Sequence, residues 1–99
     1  MNQVPGKAPP AQLSRRVLIA NRLGLHARAA ARFVKLAGRF EAEVRVKKDD
    51  HEVSGLSILG LMMLAAGPGS SLELRASGNQ AEAVLDALEA LVEGKFDED

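Results

Sequence analysis

The sequence predicts an α+β fold in two layers, with helices on one face of a four-stranded antiparallel sheet. Three observations support this prediction. Four short segments have the alternation or apolar content of strands, other segments have helical periodicity, and their order along the chain is β-α-β-β-α-β-α. With 99 residues, of which 46% are hydrophobic, the chain has room for one domain around one core.

The N-terminal third predicts a tail, a strand and a helix. Residues 1–13 are rich in Pro, Gly and Ala and predict a disordered tail, so we expect the domain to span residues 14–93. Residues 15–20 (RRVLIA) predict a strand, and a helix begins at Ala27 and ends near Gly38. The apolar face of this helix is formed by Ala30, Phe33, Val34 and Ala37.

The remaining elements are a hairpin, a short helix, a fourth strand and a long helix. Residues 41–47 alternate with period two, and residues 51–54 return after the turn KKDDH. Ser57 is a suitable N-cap for a short helix, and residues 71–76 alternate again. The helix that follows, capped by Ser77 or Asn79, buries Ala81, Val84, Leu85, Leu88, Leu91 and Val92. We expect residues 94–99 to fray.

Composition excludes several classes of function. Lys and Arg together number 13, as do Asp and Glu, so the net charge gives no reason to expect a nucleic-acid partner. The chain has no Cys and only two His, which disfavours a metal site, and we expect no cofactor. No apolar run is long enough to cross a membrane and no signal peptide is recognisable, so the expected location is the cytoplasm.

His26 is the strongest candidate for a chemical role. It directly precedes the helix that begins at Ala27, where unpaired N–H groups and the helix dipole favour anions such as phosphate. A neutral imidazole is a competent nucleophile toward phosphorus, and the guanidinium of Arg28 suits phosphate oxygens. These residues predict a phosphohistidine site. The alternative is a solvated or capping histidine, which is the usual role at such a position, and His51 is expected to be a solvent-facing hairpin residue.

Two surfaces are candidates for partner binding. The segment SILGLMMLA is apolar on nearly every side, so part of its short helix is either exposed or covered by a partner; the alternative is a fully buried helix. A phosphate on Ser57 would place charge beside this surface, as a switch requires, although Ser57 also serves as a cap. Arg28, Arg32, Lys35 and Arg39 form a basic stripe, either a solvated face or a surface that steers an acidic partner.

At G-L-H-A-R the sequence resembles the HPr family, the histidine-containing phosphocarrier proteins of the bacterial phosphotransferase system. SILGLMMLA, about 30 residues later, is similar to the family's regulatory-serine segment, and the order of elements agrees with the family's open-faced β-sandwich. The resemblance covers roughly residues 15–92. Ala29 stands where many members have Pro, and together with the long tail this favours the nitrogen-type or α-proteobacterial branches.

The resemblance implies a carrier and not an enzyme. His26 would accept a phosphoryl group on Nδ1 from enzyme I and pass it to an enzyme IIA protein. Arg28 and the backbone N–H groups of Ala27 and Arg28 would assist, and HPr kinase/phosphorylase would modify Ser57. The docking surface would comprise Ile58, Leu59 and Met62, with Arg32 and Lys35 beside it. We expect a monomer. A regulatory binding module that acts through the same apolar surface is the alternative.

Overall fold

The structure is a computed structural model that describes residues 12–98. Within this range the elements follow the predicted order. They are β1 (Gln12–Leu18), α1 (Ala27–Ala37), β2 (Glu43–Lys48), β3 (His51–Ser54), α2 (Ile58–Met63), β4 (Ser71–Ser77) and α3 (Ala81–Glu93), followed by a C-terminal turn at Lys95–Asp97.

The strands form one antiparallel sheet in the order β1-β4-β2-β3. Along β2 and β4, every second side chain is buried, as period-two alternation predicts. These side chains meet the apolar faces of the helices, among which Phe33, Leu85 and Leu88 are fully buried. The predicted α+β fold, an open sheet with helices against one face, is confirmed.

Both chain ends depart from the prediction. β1 begins at Gln12 and ends at Leu18, whereas the sequence placed this strand at residues 15–20 and the domain boundary at Ser14. The strand begins earlier because Gln12 and Leu13 pair with Ser77 and Ala76 of β4. The rest of the predicted tail, residues 1–11, lies outside the described residues.

Residues 94–98 are folded against the domain, so the prediction that this segment frays is wrong for them. α3 ends with Gly94 at its C-cap, and the turn Lys95–Asp97 then folds back so that Phe96 is fully buried in the core. An exposed phenyl ring is unfavourable in water, and its burial fixes the segment against the domain.

Candidate functional site

The loop between β1 and α1 brings His26 to the start of α1. His26 is the N-cap of this helix: its backbone is extended, with φ −78° and ψ −178°, and its carbonyl accepts a hydrogen bond from the N–H of Ala30 at 2.8 Å. The imidazole itself does not cap the helix, and the side chain is 27% exposed. The ring is therefore available for chemistry next to the positive end of the helix dipole.

A second loop, which leads from α2 to β4, holds the histidine loop in place. The N–H of Leu25 donates to the carbonyl of Ala66 at 2.9 Å. Gly24 allows this close approach, because its φ is +64° and a Cβ there would lie 2.3 Å from the same carbonyl oxygen. Ala65 also has a positive φ of 53°, a strained conformation for alanine.

Asn21 fixes the same loop from within the protein. Its side chain is fully buried, and Nδ2 donates to the carbonyl of Gly24 at 2.7 Å. The same amide lies 3.4 Å from Oε1 of Glu98. Asn21 thus connects the histidine loop to the C-terminal segment.

Glu98 contacts His26 directly, which the sequence analysis did not predict. Nε2 of the imidazole lies 2.9 Å from both Oε1 and Oε2 of the carboxylate, and the Glu98 side chain is only 10% exposed. The bond to His26 is the main cause that lowers the pKa of Glu98 below its ordinary value, with further help from Asn21 and the charge of Arg32. Phe96 was the signal available in the sequence: a lone aromatic residue in a charged tail suggests that the tail docks.

The C-terminal turn holds Glu98 at the site. Phe96 is fully buried, and Nη1 of Arg32 on α1 donates a hydrogen bond to its carbonyl. Lys95, Phe96 and Asp97 all have positive φ, which is costly for residues with a Cβ. Burial of the phenyl ring and the bond from Arg32 offset that cost. Arg32, which the sequence placed on a partner-binding surface, therefore has a partner within the fold.

The first turn of α1, directly after His26, presents groups of the kind that bind anions. Ala27 and Arg28 are exposed at the first turn of α1, where backbone N–H groups have no partner within the helix. Arg28 makes no hydrogen bond or ion pair with any other residue in the range 12–98. An open groove of about 280 Å³ borders the ring and is lined by Leu23, Leu25, His26, Ala65, Ala66 and Gly67. This arrangement suits a nucleophilic imidazole that receives a small anionic group.

The apolar segment forms a short, partly exposed helix. Ser57 is its N-cap, and its Oγ accepts a hydrogen bond from the N–H of Gly60 at 2.8 Å. Leu61 is buried, but Ile58 is 42% exposed, Leu59 68% and Met62 39%. The alternative of a fully buried helix is therefore wrong, and the exposed apolar surface is confirmed.

The other basic residues and the second histidine discussed in the sequence lie away from the His26 ring. Lys35 on α1 and Arg39, which follows the end of that helix, are exposed and line a groove with Arg32, Leu36, Leu91 and Asp97. His51 is exposed on β3 at the edge of the sheet.

In the described part of the chain no group of His, Asp and Glu side chains is arranged to hold a metal ion. Nor is any helix there long and apolar enough to cross a membrane.

Comparison with known proteins gives a consistent result. The family model described as "PTS HPr component phosphorylation site" matches residues 13–94. The chain is 47% identical to the phosphocarrier protein NPr of Shewanella violacea, over 88% of this chain and 96% of that protein. It is 49% identical to the phosphocarrier protein HPr of Pseudomonas aeruginosa, over 83% and 92% respectively. The fold is similar to HPr-C-His from Thermoanaerobacter tengcongensis, with a TM-score of 0.84, 39% identity and coverage of 88% of this chain and 98% of that one.

Proposed function

The chain belongs to the HPr family of phosphotransferase-system phosphocarriers, and we propose that it carries its phosphoryl group on Nδ1 of His26. The observation that supports this assignment most is the hydrogen bond between Nε2 and Glu98, which leaves Nδ1 as the ring nitrogen for a phosphoryl group. The partially exposed ring, at the N-terminus of α1, is in a suitable place for an anion.

Arg28 and the first turn of α1 bind the phosphoryl oxygens. The guanidinium is exposed two residues after the histidine and is not engaged by another residue in the range 12–98. The N–H groups of Ala27 and Arg28 add neutral donors that are already fixed in place by the helix. Together they compensate the charge of the group while it moves between proteins.

The apolar residues of α2 form the docking surface for partner proteins. Ile58, Leu59 and Met62 are exposed on a short helix, and Met side chains adapt to more than one partner. We infer that enzyme I, as donor, and an enzyme IIA protein, as acceptor, both bind this surface. Lys35, exposed on α1, attracts acidic groups of these partners.

Ser57 is the proposed site of regulation. Its hydroxyl caps α2 at the border of the docking surface, so a phosphate added by HPr kinase/phosphorylase would place about two negative charges next to residues that a partner must desolvate.

The protein acts in the cytoplasm as a monomer, without a cofactor. It is a carrier that other proteins phosphorylate and dephosphorylate, and not itself an enzyme.

The carrier role is tested by measuring whether the protein accepts a phosphoryl group from enzyme I and then donates it to an enzyme IIA protein. The protein is incubated with enzyme I, Mg²⁺ and labelled phosphoenolpyruvate, purified, and then mixed with an enzyme IIA protein. We expect an acid-labile label that moves to enzyme IIA. A protein that binds enzyme I but never becomes labelled would instead be a regulatory binding module acting through the α2 surface, for which the exposed apolar residues are the supporting observation.

A further inference from the structure

The carboxylate of Glu98 touches the side of the His26 ring opposite the proposed phosphoryl group. Both carboxylate oxygens lie 2.9 Å from Nε2. An ionised carboxylate only accepts hydrogen bonds, so Nε2 must carry a proton and donate a hydrogen bond to the carboxylate. In the neutral imidazole the lone pair is then on Nδ1.

This contact is built into the fold. The segment is anchored by the buried ring of its own Phe96 and by two residues from other parts of the chain. The guanidinium of Arg32 donates to the carbonyl of Phe96, and the amide of Asn21 lies 3.4 Å from Oε1 of Glu98. With 10% of its side chain exposed, Glu98 is largely protected from competing water. Neighbouring Asp97, by contrast, is exposed.

We propose that Glu98 is a positioning residue for phosphoryl transfer: it holds the proton on Nε2, orients the ring and keeps Nδ1 as the nucleophile. This inference rests on the proposed function of His26. Glu98 itself does not touch the phosphoryl group. Its action through the ring is that of a carboxylate that fixes the tautomer of a catalytic imidazole and stabilises the imidazolium that forms.

The transfer step is balanced without a proton leaving the ring. The Nδ1 lone pair attacks phosphorus, the new N–P bond forms as the donor's bond to phosphorus breaks, and that bonding pair returns to the donor. The proton on Nε2 stays there, so the phosphorylated ring carries positive charge opposite the Glu98 carboxylate. When the group moves on to an acceptor, the bonding pair returns to Nδ1, and the neutral tautomer is restored.

A small phosphoryl donor tests the inference without enzyme I. Potassium phosphoramidate is mixed with the parent, with Glu98→Ala and with the control Asp97→Asn, which removes one carboxylate from the exposed neighbouring position and keeps a side chain that tolerates the φ of +61° there. The products are assigned by ³¹P and long-range ¹H–¹⁵N NMR. We expect the parent and Asp97→Asn to form the Nδ1 product first, whereas Glu98→Ala forms a mixture that includes the Nε2 product. Before reaction, the ¹⁵N shifts of the neutral ring should show a more mixed tautomer population in Glu98→Ala.

Single-turnover labelling by phospho-enzyme I gives the second measurement. At saturating donor, Glu98→Ala should react about tenfold more slowly than the parent, since a hydrogen bond to a charged group is lost, while Asp97→Asn should react normally. A faster reaction would show that Glu98 covers the site, and unchanged tautomer, product and rate would show that it only anchors the C-terminus; either result overturns the inference. If the parent is not labelled at all, the proposed function fails, whereas the NMR experiment still reports on Glu98 by itself.

Discussion

The proposed phosphoryl transfer at His26 requires a cation that is free to bind the incoming oxygens, and Arg28, two residues after His26, is exposed without a partner in the described chain. A charge-assisted hydrogen bond to such an oxygen contributes about 1.5–3 kcal/mol. Arg28→Ala should therefore slow single-turnover transfer roughly ten- to a hundredfold while the Kd for enzyme I changes little. Arg39→Ala, which removes an exposed arginine just beyond the C-terminus of α1, is the control. A normal transfer rate in Arg28→Ala would remove Arg28 from the mechanism.

Gly24 determines whether the histidine loop can reach Ala66. A methyl group there would lie 2.3 Å from the Ala66 oxygen, at a φ of +64° that disfavours alanine. Gly24→Ala should therefore lower the free energy of unfolding by about 1–3 kcal/mol in urea titrations.

Gly67→Ala is the matched control for this prediction. An added Cβ at Gly67 has no neighbour within 4 Å, so its effect should stay within about 0.5 kcal/mol. Equal stability of the two variants would mean that the loops do not need their close approach.

Among the elements, the helices were predictable because the helical spacing of apolar residues indicates which face of a helix is buried. The face predicted for α1 contains Ala30, Phe33, Val34 and Ala37, and all of these are buried except Val34, which is half-buried. Strand ends were less predictable, since pairing with another strand decides them: β1 reaches Gln12 because its partner β4 extends to Ser77. A local pattern contains no information about the length of the neighbour.

The predicted cap of α2 gives a test of regulation. Ser57 caps the helix beside the proposed docking surface, and aspartate is also an effective N-cap, so Ser57→Asp should fold normally. Its charge should raise the KM for enzyme I, while the rate at saturating concentration stays close to that of the parent.

Ser14→Asp, on the exposed side of β1, controls for the added charge alone. If Ser57→Asp binds enzyme I as tightly as the parent, and if HPr kinase also leaves Ser57 unlabelled, then the serine is only a helix cap.

At the scale of the whole molecule, the site is assembled from distant parts of the sequence. His26 and Arg28 could be identified because they are neighbours before and within one helix. Glu98 could not, because it is 72 residues away and arrives through a turn of three residues with positive φ, which no periodicity predicts. Burial of Phe96 within the complete fold and the hydrogen bond from Arg32 to its carbonyl make that turn stable.

The folded state should lose stability in acid. The pKa of Glu98 is lowered mainly by His26, with Asn21 and Arg32 contributing, and the pKa of Glu52 mainly by Arg45. A carboxyl whose folded pKa lies below its unfolded value stabilises the fold above that unfolded value, and this contribution is lost as pH falls through the folded pKa. The urea midpoint should therefore decrease from about pH 5 downwards.

The double variant Glu52→Gln, Glu98→Gln supplies the comparison for this pH dependence. It removes both carboxyls with lowered pKa values and keeps the side chains similar in size. Its urea midpoint should decrease less steeply in acid than that of the parent. Identical slopes would show that these contacts do not contribute to stability in solution.

The most direct test of the account is the position of the label. The chain has two histidines, so His51→Ala is the natural control for His26→Ala. After incubation with enzyme I, Mg²⁺ and labelled phosphoenolpyruvate, the parent and His51→Ala should each carry one acid-labile phosphoryl group. His26→Ala should carry none, although its circular dichroism is unchanged. Normal labelling of His26→Ala, or loss of label in His51→Ala, would contradict the assignment of the site.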